Sequence, residues 1–281
     1  MKYTLAAFAD EAGSSLTQQI EALRRSGIGL LEIRGVDGKN VADIDAGEAR
    51  EIAGRLNDAG LAVRSIGSPY GKIDIDADFE PHFEKFRRTL EVANVFGAKY
   101  MRIFSFFMPA GVTEYGAYTE RVLRRLVRLE IAARSAGIVL CHENEKGIYG
   151  EVPERCLEIH RAIPEIRAVF DPANYVQCGV DTLRAWELLG QYVEYLHIKD
   201  ALPNGRVVPA GQGVGNVARI VKAFGGGMLT LEPHLTVFKG LSALEKDGGA
   251  LSVDPYRFDT ADEAFDCAAA ALKAIIAKTE E

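Results

Sequence analysis

A single-domain (β/α)8 TIM barrel is the fold class that the sequence predicts, on three observations. Short apolar runs rich in β-formers alternate with longer stretches of helical periodicity along the whole chain. The runs lack clean period-two alternation, as expected of strands buried on both faces. The 281 residues also suit one barrel over residues 1–281, although length alone would allow two domains. An open doubly wound sheet is the alternative, but no G-x-G-x-x-G follows the first run.

Taken in order, Tyr3 to Phe8 reads as the first strand, followed by a helix over Leu16 to Ser26 closed by Gly27. Leu30 to Arg34 is the second strand, before a helix over Ala46 to Ala59 ended by Gly60. Leu61 to Ile66 is the third, with a helix over Phe79 to Phe96 ended by Gly97. Tyr100 to Phe104 and Ile138 to Glu143 are the fourth and fifth, separated by a long helix over Tyr115 to Ala136 with Gly137 after it. A helix over Val152 to Ile163 leads to the sixth strand, Ala168 to Asp171. One near Asp181 to Leu189 leads to the seventh, Tyr195 to Lys199. A short helix around Val217 to Phe224 precedes the eighth strand, Met228 to Glu232, and Thr260 to Lys278 closes the chain as a helix. Thr236 to Arg257 is long for a barrel connection and reads as a lid or a subunit contact.

Composition narrows the function classes. Hydrophobic residues make up 48% and charged residues 26%, an ordinary globular balance that excludes a disordered or collagen-like chain. A net charge of −7 lacks the basic stripe of a protein that neutralises nucleic-acid phosphates. Cys141, Cys156, Cys178 and Cys267 have no C-x-x-C spacing, so they read as reduced thiols. No apolar run reaches the length of a membrane span, and Met1 to Asp10 turns acidic before a secretory segment could form; a cytoplasmic chain is expected.

Barrel chemistry gathers at the C-terminal ends of strands. The fifth strand ends in Cys141-His142-Glu143-Asn144-Glu145, the sixth in Phe170-Asp171-Pro172-Ala173-Asn174, the seventh in His197-Ile198-Lys199-Asp200 and the eighth in Leu231-Glu232-Pro233-His234. Glu143, Asp171, His197 and Glu232 therefore form a candidate ligand set of three carboxylates and one imidazole. That set suits one divalent ion, with Mn2+ favoured and Mg2+, Co2+ or Zn2+ as alternatives. Singly, each residue would pass as a helix cap or a solvated loop residue; together, buried, they would repel unless a cation neutralised them.

Here the chain resembles the xylose isomerase-like barrels, a superfamily of sugar isomerases, ketose 3-epimerases, inosose dehydratase and the endonuclease IV branch. Ser65-Ile66-Gly67-Ser68-Pro69-Tyr70-Gly71-Lys72-Ile73 and His197-Ile198-Lys199-Asp200 look like segments of its sugar phosphate isomerase/epimerase members. The resemblance implies that Glu143, Asp171, His197 and Glu232 ligate one metal. It further implies that Glu143 and Glu232 approach the reacting carbon of a small carbohydrate from opposite faces as acid and base, through a metal-stabilised enediolate. A homo-oligomer is implied by the same analogy. A dehydratase or lyase acting on a keto-sugar or inosose shares the first step and is the alternative. A nuclease would need more histidines than His82, His142, His160, His197 and His234, and a barrel kept only for binding is a further alternative.

Two positions depart from the epimerase pattern: Asn174 stands where a histidine is expected and Pro203 where an arginine is expected. Lys199 shares strand parity with His197, so it either enters the pocket or pairs with Asp200 at the rim. Arg34, Ser68, Lys72, Arg102 and His234, with Glu11 and Ser105, are further substrate-binding candidates. Arg34, Lys72 and Lys199 together would favour an anionic sugar. Gly211-Gln212-Gly213-Val214-Gly215 reads either as an anion-binding loop or as a flexible connection. Phe8, Tyr70, Phe104, Phe106 and Phe107 are wall or core residues, and His142, out of phase with Glu143, should face the helices.

Overall fold

The computed structural model describes residues 2–236 and 258–280. Eight parallel strands close into a barrel: β1 Tyr3–Ala7, β2 Leu30–Ile33, β3 Ala62–Gly67, β4 Tyr100–Ile103, β5 Val139–Glu143, β6 Arg167–Phe170, β7 Val193–Ile198 and β8 Gly227–Leu231. Each pairs with its sequence neighbours, and β1 pairs with β8 through Tyr3 opposite Gly227 and Ala7 opposite Leu231. The predicted lid segment Thr236 to Arg257 lies, beyond Thr236, outside the described residues.

Around the barrel run α1 Leu16–Arg25, α2 Ala46–Asp58, α3 Phe79–Phe96, α4 Gly116–Ser135, α5 Pro153–Ala162, α6 Pro172–Gln177, α7 Thr182–Leu189, α8 Val217–Phe224 and α9 Ala261–Glu280. Helix starts follow local chemistry. Ser15 with Gln18, and Asp45 with Glu48, form reciprocal capping boxes at α1 and α2. The glycines after the first four helices, Gly27, Gly60, Gly97 and Gly137, all adopt positive φ, the left-handed stop expected of them. The sequence reading missed α6, which starts at Pro172 directly after Asp171; six residues are too few to show a period. None of the described helices is long and apolar enough to cross a membrane.

One large apolar layer lies between the barrel and its helices, and includes Leu23, Phe86, Leu126, Ile159, Ile220 and Leu272. Inside the barrel, Ala6, Tyr100, Cys141, Val169, Tyr195 and Met228 form a separate small cluster. Strand parity carries this inner row upward: Tyr100 leads to Arg102, Cys141 to Glu143, Val169 to Asp171, Tyr195 to His197 and Met228 to Glu232. The alternation was hidden in the sequence because the helix-facing positions are apolar as well. Two bulges break the register, between Leu31 and Glu32 where β2 meets β3, and between Ala168 and Val169 where β6 meets β7.

Candidate functional site

Glu143, Asp171, His197 and Glu232 converge at the C-terminal mouth of the barrel, all buried, with one candidate ligand atom from each lying within 4.8 Å of the others. His197 Nδ1 is 2.9 Å from Glu143 Oε1 and 3.3 Å from Glu232 Oε2, so these two carboxylates flank it. Asp171 serves two purposes. Its Oδ1 accepts the N–H of Asn174 at 2.9 Å and caps α6, as the plain structural reading of the residue predicts. Its Oδ2 faces the cluster, 3.0 Å from Lys199 Nζ, yet receives no well-directed hydrogen bond.

The chain supplies part of the neutralising charge itself. Lys199 enters the pocket and lies 3.0 Å from Asp171 Oδ2, 3.2 Å from Glu232 Oε2 and 3.4 Å from His234 Nδ1, which settles its two readings against a rim pair with Asp200. Arg102 donates to Glu143 Oε2 at 2.9 Å. Arg34 lies between three carboxylates, donating to Asp10 at 3.0 Å, Glu11 at 3.0 Å and Glu232 at 3.2 Å. The expectation that buried carboxylates here would need an added cation is therefore met in part by three side chains. The inference of an anionic sugar weakens for the same reason, because Arg34, Lys72 and Lys199 each already face a carboxylate.

Electrostatics then sort the carboxyl groups. Burial raises the proton affinity of Glu143, but His197 and Arg102 outweigh it and hold the group down to about 2. Glu232 is likewise driven well below the usual carboxylate range, with Lys199, His234 and His197 overcoming burial. Burial wins at Asp171, pushed up to about 7 with the charges of Glu232 and Glu143 adding to it, and at Glu11, pushed up to about 8 against the pull of Arg34.

These residues fit a divalent ion. The donors are three hard carboxylates and an imidazole, one carboxylate oxygen lacks a directed hydrogen bond, and His197 Nε2 lies 3.2 Å from Glu32 Oε2, an outer partner of the kind that orients metal-bound histidines.

Other predicted residues have different surroundings. Asn174 reaches the cluster, with Nδ2 3.3 Å from Glu143 Oε1 and 2.9 Å from the Asn144 carbonyl. His234 is held at φ +46° with its N–H donated to Glu11 at 2.6 Å. Ser68 turns its hydroxyl to the Arg102 carbonyl at 2.5 Å, and Lys72 donates to Glu145 at 2.9 Å while lying over the Phe104 ring. Phe8 and Phe104 are fully buried and present their faces to guanidinium groups rather than to solvent. His142 does point to the helices, its ring 6.0 Å from that of His160 on α5. Pro203 sits exposed in the turn of a small hairpin, Asp200–Ala201 with Val207–Val208.

The glycine-rich loop corrects both of its readings. The N–H groups of Gly211, Gly213 and Gly215 donate to the carboxylate of Asp200 at 2.9, 3.0 and 2.8 Å, so the anion it cradles belongs to the chain and the connection is pinned. Gly213 is required there, since a Cβ would fall 2.3 Å from both Ala201 O and Asp200 Oδ1.

The sequence reading missed Asp10, Glu32 and Asn144. Asn144 ties the ends of β5 and β6 together through reciprocal 2.9 Å hydrogen bonds with the Asp171 backbone. Glu32 had left a trace: a charged residue in the middle of the apolar run Leu30-Leu31-Glu32-Ile33.

Comparison with known proteins adds the following. Residues 20–247 match the family described as xylose isomerase-like TIM barrel. No curated protein matches the sequence significantly. Among solved structures, the IolI protein with a bound zinc atom superposes with a TM-score of 0.74 at 16% identity, covering 98% of each chain. An L-ribulose 3-epimerase gives 0.72 at 18% identity, covering 98% of this chain and 95% of its own. The probable 3-DHS dehydratase AsbF from Bacillus anthracis gives 0.71 at 17% identity, covering 97% and 99%. At these identities the likeness is one of fold.

Proposed function

We propose, from the premise that this chain belongs to the xylose isomerase-like TIM barrel family, that it is a divalent-metal-dependent isomerase or epimerase of a sugar or sugar derivative. The observation that carries this reading is the meeting of Glu143, Asp171, His197 and Glu232 from four consecutive strands around one point. These four would hold the ion, with Mn2+ favoured by the hard donor set. When bound, the ion supplies Lewis acidity, polarising a carbonyl and stabilising negative charge on neighbouring substrate oxygens.

The chain's own residues do the rest. Glu143 and Glu232 flank the cluster, and their neighbours hold both in the ionised form that accepts a proton. In this reading one removes the proton beside the substrate carbonyl and the other returns it. Arg102 fixes the position of Glu143, and Arg34 with Lys199 fixes Glu232, so that neither carboxylate must reorganise during transfer. In this reading Lys199 and His234, 3.4 Å apart at the cluster, would donate to a substrate oxygen, and the buried rings of Phe8 and Phe104 keep water from the charged groups behind the site.

A keto-sugar or inosose dehydratase or lyase is the second reading. Asn174 is engaged with Glu143 and Asn144, and Pro203 is exposed in the hairpin turn, so two sugar-binding groups of the epimerase pattern are replaced. Turnover of a panel of ketoses and inososes in D2O, followed by mass spectrometry, separates the two. Proton return in the first reading incorporates deuterium into a product of otherwise unchanged composition, whereas dehydration removes one water. Glu143→Gln and Glu232→Gln should each lower turnover by about 10²–10⁴-fold. Wild-type turnover in both variants would refute the assignment of acid and base.

A further inference from the structure

We infer that Glu32 is a positioning residue: from beneath the cluster it fixes the imidazole of His197, holding the Nε2 edge down so that Nδ1 is presented to the carboxylates above. The inference rests on the metal reading only in giving that presented nitrogen its use.

The geometry comes from three strands. His197 Nε2 is 3.2 Å from Glu32 Oε2. The second oxygen, Oε1, accepts the Tyr195 hydroxyl at 2.8 Å, and that hydroxyl lies 3.0 Å from Ser65 Oγ. Glu32, Ser65, Tyr195 and His197 are all fully buried, and among the described residues no lysine or arginine forms an ion pair with Glu32. A carboxyl oxygen lies beside each ring nitrogen, Glu32 Oε2 at 3.2 Å from Nε2 and Glu143 Oε1 at 2.9 Å from Nδ1, so Glu32 fixes which edge of the ring faces down and which faces the cluster. Burying a carboxylate with only a histidine and a tyrosine for partners is costly, and aliphatic residues at this height would fill the barrel at lower cost.

Both bulges of the barrel fall on this chain of contacts, an observation independent of the distances. The shift between Leu31 and Glu32 skips Arg64 and sets Glu32 opposite Ser65; the shift between Ala168 and Val169 skips Glu194 and sets Tyr195 opposite Val169. Each re-aims a member of the chain into the interior, the recurrent use of bulges beside functional sites. The imidazole is further confined by the edge-on ring of Phe8, with centroids 5.2 Å apart.

Two measurements on the full chain test this, with Co2+ as the metal probe. Long-range 1H–15N spectra of the metal-free protein should show the His197 ring signals shifted from their wild-type positions in Glu32→Leu and restored toward them in Glu32→Gln, which keeps an acceptor oxygen. Co2+ titration followed by visible absorption should show roughly 10–100-fold weaker binding in Glu32→Leu, with most of the loss recovered in Glu32→Gln. Tyr195→Phe, which touches none of the four ligands through its missing hydroxyl, should weaken Co2+ binding in the same direction and shift the His197 signals. If Glu32→Leu fails to fold, the Tyr195→Phe variant decides. Wild-type Co2+ affinity together with unmoved His197 signals in Tyr195→Phe, and in Glu32→Leu where it folds, overturns the inference. A wild type that takes up no Co2+, while its His197 signals respond to Glu32 as stated, supports the positioning role and overturns the metal reading instead.

Discussion

Replacing Asp200 by Asn should destabilise the protein although the two side chains have the same shape. The carboxylate accepts four backbone N–H groups: Ala201 at 2.9 Å and Gly215 at 2.8 Å on Oδ1, Gly211 at 2.9 Å and Gly213 at 3.0 Å on Oδ2. An amide keeps one oxygen and turns an NH2 toward the other two donors, and both ways of placing it leave two N–H groups without an acceptor. An orphaned buried donor costs about 1–3 kcal/mol, which for two gives about 2–6 kcal/mol. Gly211 and Gly213 lie in a partly buried loop that water can reach when it opens, so about 3 kcal/mol is expected. At about 2–4 °C per kcal/mol, the thermal midpoint falls by roughly 6–12 °C. Amide exchange at 211, 213 and 215 should accelerate together, and the adjacent Lys199 should lose its fixed approach to Asp171 and Glu232. Urea denaturation and hydrogen exchange provide the assay. An Asn variant with an unchanged midpoint and unchanged protection at those three amides would refute the reasoning.

Other predictions rest on separate features. Gly71→Ala should cost about 3 kcal/mol or more, since φ is +91° and a Cβ would lie 2.0 Å from the Phe104 carbonyl oxygen; a wild-type denaturation midpoint would contradict it. His160 is buried and held at about 4, below its ordinary 6.5, mainly because burial disfavours its charge. The unfolded chain therefore binds the extra proton, and the stability from this group, full above pH about 6.5, drains away as pH falls toward 4, by about 3 kcal/mol at 1.36 kcal/mol per unit. Urea midpoints of the wild type and His160→Asn at pH 7 and 5 check it, and the same pH dependence in both would exclude it. Metal loading should stabilise the fold: Mn2+ at about a thousand times its Kd should add about 4 kcal/mol, reversed by a chelator, and no midpoint shift with Mn2+, Co2+ or Zn2+ would count against the site.

Much of the site was legible because a parallel barrel places like with like. Once eight apolar runs are counted, the residues that end them are brought to one mouth, so Glu143, Asp171, His197 and Glu232 could be picked out without any distance. Asp10, Glu32 and Asn144 were not picked out, for different reasons. Asp10 lies in a short 3-10 helix, Ala9–Glu11, directly after β1, and the Asn144 side chain reaches only the backbone of Asp171. Glu32 did interrupt an apolar run, but its direction depends on a bulge that only strand pairing reveals.

By itself, the sequence determined the order of the eight barrel strands and of the helices other than α6, the positions where glycine ends a helix and the set of strand-end groups able to bind a cation. These follow from periodicity, capping and parity, which are properties of neighbouring residues. Only the tertiary structure decided which charges meet: that Lys199 turns to Asp171 and Glu232 rather than Asp200, that the glycine loop closes on Asp200, and that Arg34 and Arg102 already neutralise part of the acidic mouth. Each of those pairings joins residues far apart along the chain or depends on how a side chain turns in the closed barrel, and electrostatic energy depends on distance in space rather than on separation in sequence.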